Sequence, residues 1–522
     1  MTSVKSLLKQ PDFYRRVLSI ILLTAMVYCG IYYVNAGAYY FQQIAFRPFC
    51  ISLGLLILVN LDYKIWFNLI SLIYVPICYV FMHFACLYKW IPDVTDYQHV
   101  DVIRMGKLVA LVWGIVVISI LVDAVKKKVW KNIGRVNRVV LALWIVFAIL
   151  SVVFMREHYY FFFMAIAFSA LFYTFSIKER RDIIVDSLST AICLSMVYVF
   201  YKCLRCRPYD CERYTLYFAN ANSAGMYISA VVVAAMVKLE RWWQYDGKLV
   251  VKKIMLVAYY CGFGVATGLM IFNFTRTTIL GVIAALVLKY VIAFKHANKK
   301  KSVLGRFLIG FVVFAVFLCP TYLGIRYVPG YFNTPYFFAG EYDPIVRIMP
   351  GDPIDSPKYT TIESFLTLAL GKCGIYINFN PDEEAGEKAV YYNEEKDVTN
   401  GRGSIWRGYL SKMNLTGHYP ANMTLDDGFF VYHAHNTYIH VSYQLGAIAG
   451  IEYLIFMGVC FFTSIIAYFK SKAKDNTLLF GMCFIAAGCV SQLTEWIGHP
   501  CYILYVTLFF AIGTVLYKTD KL

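Results

Sequence analysis

The chain has 522 residues, of which 60% are hydrophobic, and it carries a formal net charge of +17. This composition is typical of a protein that crosses a membrane many times, and it argues against a nucleic-acid-binding protein. The basic excess follows the rule that Lys and Arg accumulate in short cytoplasmic loops. The 15 cysteines lie mostly within apolar runs, so they do not indicate a disulfide framework.

Apolar runs of the length of a membrane-spanning helix recur along the chain, which predicts an all-α polytopic membrane protein with about fourteen spans. The first run is expected to be a retained span, because it is longer than the core of a signal peptide. The predicted spans are 17–34, 44–61, 65–86, 106–124, 139–154, 158–176, 183–201, 221–237, 254–272, 277–294, 307–325, 440–469, 477–494 and 500–517.

A polar insert at 326–436 divides these spans into a bundle at 1–325, with about eleven of them, and a C-terminal group at 437–522, with about three. Alternate loops are basic, as at 126–128 and 295–306, and the insert falls on the opposite side from them. Both termini are therefore expected in the cytoplasm and the insert on the outer face of the plasma membrane. Loops as long as the insert are usually functional or disordered.

Four arginines lie in predicted outer connections, where the topological rule does not favour them. Arg205, Arg207 and Arg213 follow the seventh span, and Arg276 lies in a connection of a few residues. A guanidinium group matches phosphate oxygens bidentately, so these residues indicate a site for an anion. The alternative is that they pair with lipid headgroups or with acidic residues of the same loop.

Two histidines, His433 and His435, close the insert just before a new helical pattern, for which Asn436 is the expected N-cap. A helix N-terminus disfavours imidazolium, so a histidine there tends to stay neutral and able to accept a proton. This suits a general base. Solvated loop histidines and metal ligands are the alternatives, but no nearby Cys or carboxylate spacing completes a zinc pattern, so no metal is expected.

Two smaller motifs are expected to be structural. Gly446 and Gly450 form a GxxxG pattern that predicts close helix packing. Cys203, Cys206 and Cys211 lack the fourth ligand of a structural zinc site, which leaves a disulfide or three thiols.

Three segments carry a more specific pattern. They are GRGSIW at 401–406, HAHNTYI at 433–439 with LGAIAG at 445–450, and, more weakly, NANSAG at 220–225 with TRT at 275–277. In this order they resemble the O-antigen ligase and O-antigen polymerase superfamily of bacterial envelope enzymes. The His-Asn pair with its glycine-rich helix is the specific part of the resemblance, which covers about residues 200 to 470.

The resemblance implies a GT-C-like membrane enzyme, namely a metal-independent, inverting glycosyltransferase without a cofactor. Its donor would be an undecaprenyl-diphosphate-linked glycan, its acceptor a glycan or lipid-linked molecule, and its partners otherwise membrane lipids and no nucleic acid. It would transfer or polymerise oligosaccharide on the outer face of the plasma membrane, as an O-antigen or capsule polymerase does. The residues carried over are His435 as the catalytic residue, Arg276 with Arg213 or Arg207 as ligands of the donor diphosphate, and Arg402, His433 and Asn436 as supporting residues.

Two other functions stay open. A ligase would transfer the glycan to a lipid or wall acceptor, and a flippase would carry the lipid-linked glycan across the bilayer. A flippase is expected to show internal repeats and charges at mid-bilayer depth, and neither is clear in the sequence. Aromatic pairs in the insert, such as those at 391–392 and 429–430, favour a groove for a growing strand and hence a polymerase. Filling the core of the loop itself is the other explanation for these aromatic residues.

Overall fold

The computed structural model describes residues 11–35, 39–61, 100–128, 136–155, 160–205, 214–218, 220–332, 336–339, 344–348, 402–425 and 428–517. Most of this part of the chain is helical, which confirms an all-α, multi-pass membrane protein. Eight of its helices are long and apolar enough to cross a membrane, and five shorter apolar helices accompany them. The predicted span 65–86 lies outside the described residues, so the number of spans stays a prediction.

The helices before the insert coincide with the predicted spans. They are α1 (Pro11–Asn35), α2 (Tyr39–Asn60), α3 (Val100–Lys127), α4 (Arg138–Val153), α5 (Tyr160–Thr174), α6 (Lys178–Arg205), α7 (Ala221–Trp243), α8 (Leu249–Asn273), α9 (Arg276–His296) and α10 (Lys300–Phe332). Helix α10 continues to Phe332, so the first residues of the segment predicted as the insert are still helical.

The described part of the insert and the C-terminal region add five helices and two small antiparallel hairpins. The helices are α11 (Arg402–Ser411), α12 (Thr437–Leu445), α13 (Ala447–Lys470), α14 (Asn476–Gln492) and α15 (Ile503–Leu516). The strands are β1 (Tyr336–Ala339) paired with β2 (Pro344–Ile348), and β3 (Met423–Thr424) paired with β4 (Phe430–Val431).

The centre of the bundle is formed by α7, α14 and α15, which contact one another. Of the apolar stretch of α7, 94% is buried, whereas the value for α10 is 6%. The small residues of α7, with Ala, Ser and Gly near its start, let neighbouring helices approach closely. Its first turn is capped by Asn220, whose side chain accepts a hydrogen bond from the Ser223 amide at 2.8 Å.

The predicted span 440–469 is wrong as a single helix, because the chain breaks at Gly446 between α12 and α13. Gly446 has a φ of +99°, and a Cβ there would collide with the carbonyl oxygen of Leu415 in the insert. Only glycine satisfies both conditions without strain. The predicted close packing is confirmed at Gly450, which lies against the Ser442 side chain of α12. The break turns α12 into a short helix whose Tyr443 and Ile439 pack with residues of the insert.

Charged residues cluster at one end of the bundle, which we call the basic end. Asp186 of α6 pairs with Lys238 of α7 at 2.5 Å, and Glu240 of α7 pairs with Lys289 of α9 at 3.3 Å. Arg276, at the start of α9, lies about 20 Å along the helix axis from Lys289. A second charged cluster surrounds that opposite end of α9.

Candidate functional site

Residues of the insert form a small hydrophobic cluster at the end of the bundle where α9 begins. It consists of Tyr409, Met423, Leu425, Val431, Ala434 and Tyr443, with Ile405 and Ile439 packed against it. The fully buried Tyr409 hydroxyl donates to the carbonyl of Ala421 at 3.2 Å. The cluster joins α11, the β3–β4 hairpin and α12, and it fixes the segment that carries His433 and His435.

The connection between α14 and α15 places an acidic residue, Glu495, in the middle of the candidate site. Its side chain is 3% exposed, and its Oε1 accepts a hydrogen bond from Arg402 Nη2 at 2.5 Å. Arg402 also donates to the backbone carbonyl of Thr494. The other oxygen, Oε2, lies 3.3 Å from His435 Nδ1. One buried carboxylate therefore binds a guanidinium group on one side and an imidazole on the other.

His435 is held in an unusual backbone conformation. Its φ is +47°, in the left-handed region, which costs a non-glycine residue about 1–2 kcal/mol. Asn436, the next residue, caps α12 as expected, since its Oδ1 accepts from the Ile439 amide at 3.0 Å. The Asn436 side chain also donates to the Leu493 carbonyl at 2.8 Å, and the Thr437 hydroxyl donates to the Glu495 carbonyl at 2.7 Å. These bonds hold the strained histidine against Glu495, and such strain is typical of functional sites.

The contact with Glu495 also assigns the two nitrogens of His435. A carboxylate only accepts hydrogen bonds, so Nδ1 carries the proton and Nε2 of the neutral ring is the acceptor. The His435 side chain is 29% exposed, which leaves the ring accessible. The pair can therefore act as a general base whose protonated form is stabilised by the carboxylate.

His433 lies beside His435 but in a different environment. The two rings are perpendicular, with their centroids 4.3 Å apart. The pKa of His433 is lowered to about 4, mainly by burial and also by the neighbouring His435 and Arg402, against the opposing effect of Glu495. Its Nδ1 is buried and has no hydrogen-bond partner in the part of the chain that the structure describes. His433 is thus a neutral ring that packs against His435.

Arg276 is the first residue of α9 and is exposed. The residues on either side fix it. The Thr275 hydroxyl donates to the Ala221 carbonyl at 3.0 Å, and the Thr277 hydroxyl shares a hydrogen bond with that of Thr494. Within the described ranges its guanidinium has no hydrogen-bond or ion-pair partner. A free guanidinium at the positive end of a helix dipole is a suitable ligand for an anion.

The third and weakest of the similar patterns, at 220–225 and 275–277, lies where two helices begin side by side. A Cβ on Gly225 would lie 2.8 Å from the Cβ of Thr275, so the start of α7 and the start of α9 touch. Because Thr277 contacts Thr494, the start of α9 reaches the connection that carries Glu495, and the start of α7 adjoins it through Thr275.

The remaining predicted residues do not join this cluster in the described part. Arg207 and Arg213 lie outside the described residues, as do Cys206 and Cys211. Arg205 ends α6, and its guanidinium donates to the Tyr201 hydroxyl at 2.9 Å. Cys203 is buried at the same helix end.

Sequence reasoning missed Glu495 and Thr494. An acid in a short connection between two apolar runs is common on membrane proteins, and no motif around it signals a role. The available indication was that a carboxylate in a connection of few residues has little freedom to move away from the bundle.

The fold and the site define an all-α, multi-pass membrane protein with a charged, partly exposed site at one end of its helical bundle. No protein-family model, no curated protein and no solved structure matches this chain. The similarity to the O-antigen ligase and polymerase superfamily is therefore a resemblance carried by short segments.

Proposed function

We propose that the protein is an integral-membrane, GT-C-like glycosyltransferase that transfers or polymerises undecaprenyl-diphosphate-linked oligosaccharide. The observation that carries this proposal is the convergence of three groups from distant parts of the chain. A histidine and an arginine share the buried carboxylate of Glu495, and a further arginine without a described partner starts the helix whose Thr277 contacts Thr494. Together they supply a base and an anion site.

In the proposed reaction, a hydroxyl oxygen of the acceptor attacks the anomeric carbon of the donor sugar. The bond between that carbon and the diphosphate oxygen breaks, and the proton of the hydroxyl moves to His435 Nε2. A single displacement of this kind inverts the anomeric configuration. Glu495 stabilises the resulting imidazolium, and Arg276 neutralises charge that develops on the leaving diphosphate. Arg213 or Arg207 is the proposed second diphosphate ligand, and Arg402 acts as a positioning residue through Glu495.

In the proposed orientation, the site and the 326–436 insert lie on the outer face of the plasma membrane. Both termini lie in the cytoplasm. The basic end supports this orientation, because Lys and Arg accumulate on the cytoplasmic side. A cysteine probe at Glu384 should react with an impermeant reagent from outside, whereas one at Lys300 should not. The opposite labelling pattern would contradict both the topology and the site.

The activity is tested directly with purified protein in lipid nanodiscs. Without ATP and with a metal chelator present, the protein should release undecaprenyl diphosphate from a lipid-linked glycan and extend an acceptor glycan. A His435→Ala variant purified in parallel is the control. Movement of intact lipid-linked glycan across the bilayer without any release of lipid diphosphate would show a flippase instead.

Polymerase and ligase share this chemistry and differ in the product that is missing when the gene is deleted. Single repeat units on the carrier or the surface are expected after loss of a polymerase. Long chains that accumulate on the carrier and are absent from the final acceptor would identify a ligase.

A further inference from the structure

The β3–β4 hairpin presents a set of aromatic side chains beside the histidines. Along β4 the side chains alternate, so that Val431 is 4% exposed while Phe430 and Tyr432 are 46% and 74% exposed. Phe429, which precedes the strand, is 61% exposed. We call Phe430 and Tyr432, which share one side of the strand, the aromatic face.

This aromatic face is held in a fixed geometry. The rings of Phe430 and Tyr432 lie edge to face, with centroids 4.9 Å apart and planes at 88°. The hairpin turn is closed by a hydrogen bond from the Leu425 amide to the Phe429 carbonyl at 2.9 Å. Val431, on the opposite side of the strand, belongs to the hydrophobic cluster around Tyr409. The rings are therefore preorganised, and a ligand would not have to order them.

The aromatic face is close to the two histidines of the site along the chain. Tyr432 directly precedes His433, and the three residue steps from Tyr432 to His435 span at most about 10 Å. That is the length scale of one or two sugar rings. The apolar C–H face of a pyranose packs on an aromatic ring, and its hydroxyl groups remain at the edge, where polar groups can bind them.

We propose that the aromatic face is the subsite for the acceptor glycan, with a pyranose ring stacked on Tyr432 and the reacting hydroxyl directed toward His435. The inference rests on the proposed transferase function and adds the place where its acceptor binds. The sequence of the turn favours a glycan over a membrane surface. In the sequence, Asp426 and Asp427 stand between β3 and β4, and an anionic lipid surface repels carboxylates.

The kinetic test uses soluble oligosaccharides, released by mild acid from the lipid-linked glycans of the expressing cells, as acceptors at saturating donor. Tyr432→Ala should raise the KM for the acceptor about tenfold while the KM for the donor stays within about twofold. Tyr432→Phe, which keeps the ring, should behave like wild type. Tyr331→Ala, which removes another exposed tyrosine (87% exposed) at the end of α10, is the matched control and should also leave the acceptor KM unchanged.

The binding test places a fluorescent reporter on the aromatic face in a protein that cannot turn over. A Tyr432→Trp, His435→Ala double variant is titrated with the same oligosaccharides and, separately, with vesicles of phosphatidylglycerol and phosphatidylethanolamine. After subtraction of the signal from the nine native tryptophans, saturable quenching by the oligosaccharides is expected. A response to vesicles alone, or to neither, would overturn the proposal.

The two tests separate this inference from the proposed function. If wild-type protein transfers glycan but Tyr432→Ala keeps its acceptor KM, only the acceptor subsite is wrong. If wild-type protein releases no lipid diphosphate while the tryptophan reports saturable sugar binding, the transferase function fails and the glycan site stands.

Discussion

The two ends of the bundle contain the same kinds of charged groups but use them differently. At the basic end, Asp186 contacts Lys238, Arg241 and Arg16 at 2.5, 3.0 and 3.7 Å, and Glu240 contacts Lys289 and Arg306. Each carboxylate there is surrounded by more than one cation. The two lysines are 6% and 5% exposed, so they are closed off from solvent and paired with the two acids. The three arginines around them remain partly exposed.

At the other end a single buried carboxylate, Glu495, serves a guanidinium and an imidazole that are 23% and 29% exposed. Arg276 nearby has no partner within the described ranges. Ionic contacts alone therefore do not mark a functional site. What distinguishes the site is that its buried acid binds a histidine and that Arg276 has no acidic partner within the described ranges, so an anionic ligand can complete the set.

The largest expected effect separates the two histidines of the site. His435→Ala should reduce glycan transfer by about 10²–10⁴-fold, because it removes the base that Glu495 orients. His433→Ala should be milder, since that ring only packs against His435. Initial rates of lipid-diphosphate release test this, with thermal unfolding as a control for folding. A severe loss in His433→Ala together with a nearly silent His435→Ala would show that His433, and not His435, is the base.

The next effect concerns arginine geometry. Arg276→Lys should lose most of the activity, by about ten- to a hundredfold, because a lysine point charge cannot bind two phosphate oxygens as the planar guanidinium does. Arg306→Lys at the basic end keeps its charge next to Glu240 and is the matched control, with turnover expected near wild type. Full activity of the Arg276→Lys variant would reduce that residue to a headgroup anchor. Arg213→Ala should act in the same direction as Arg276→Lys.

A pair of acid substitutions tests the comparison itself. Asp186→Asn should lower the stability of the protein by about 3–5 kcal/mol, because Lys238 is left buried without its counter-charge. Turnover per folded molecule should not change. Glu495→Gln should do the reverse, with lower turnover and a smaller loss of stability, since solvent reaches both Arg402 and His435. Thermal unfolding and active-site-normalised rates are the two measurements. Equal loss of turnover in both variants would show that the two ends of the bundle do not differ in their contribution to activity.

The smallest effect is a pH dependence of stability that His433 contributes. Its pKa of about 4 in the folded protein lies below the ordinary value of 6.5, so the unfolded chain binds the proton more readily. Above about pH 6.5 the residue is neutral in both states and has little effect on stability. As the pH falls from 6.5 toward 4, it lowers stability by up to about 1.4 kcal/mol per pH unit. His433→Gln should flatten the unfolding midpoint over this window. The same slope in the variant and in wild type would show that other groups cause it.

Features that depend on a few neighbouring residues could be predicted from the sequence alone. Apolar runs of membrane-spanning length predicted the helices, and the side chain of Asn436 capped α12 where expected, because both depend on a few consecutive residues. The close packing predicted at Gly450 is also confirmed, although its partner Ser442 reaches it only because the chain breaks at Gly446. The His-Asn pair and Arg276 were also found from the sequence, as candidate residues without partners.

The contacts that these candidate site residues make depend on the tertiary structure. Arg402 and Glu495 are 93 residues apart, and no local pattern encodes which acid in a membrane protein will meet which arginine. The helix break at Gly446 depends on the carbonyl of Leu415, and the position of Arg276 depends on contacts of its neighbours with Ala221 and Thr494. Packing between distant helices brings these groups together, because burying their apolar faces fixes where the polar ends of the helices meet.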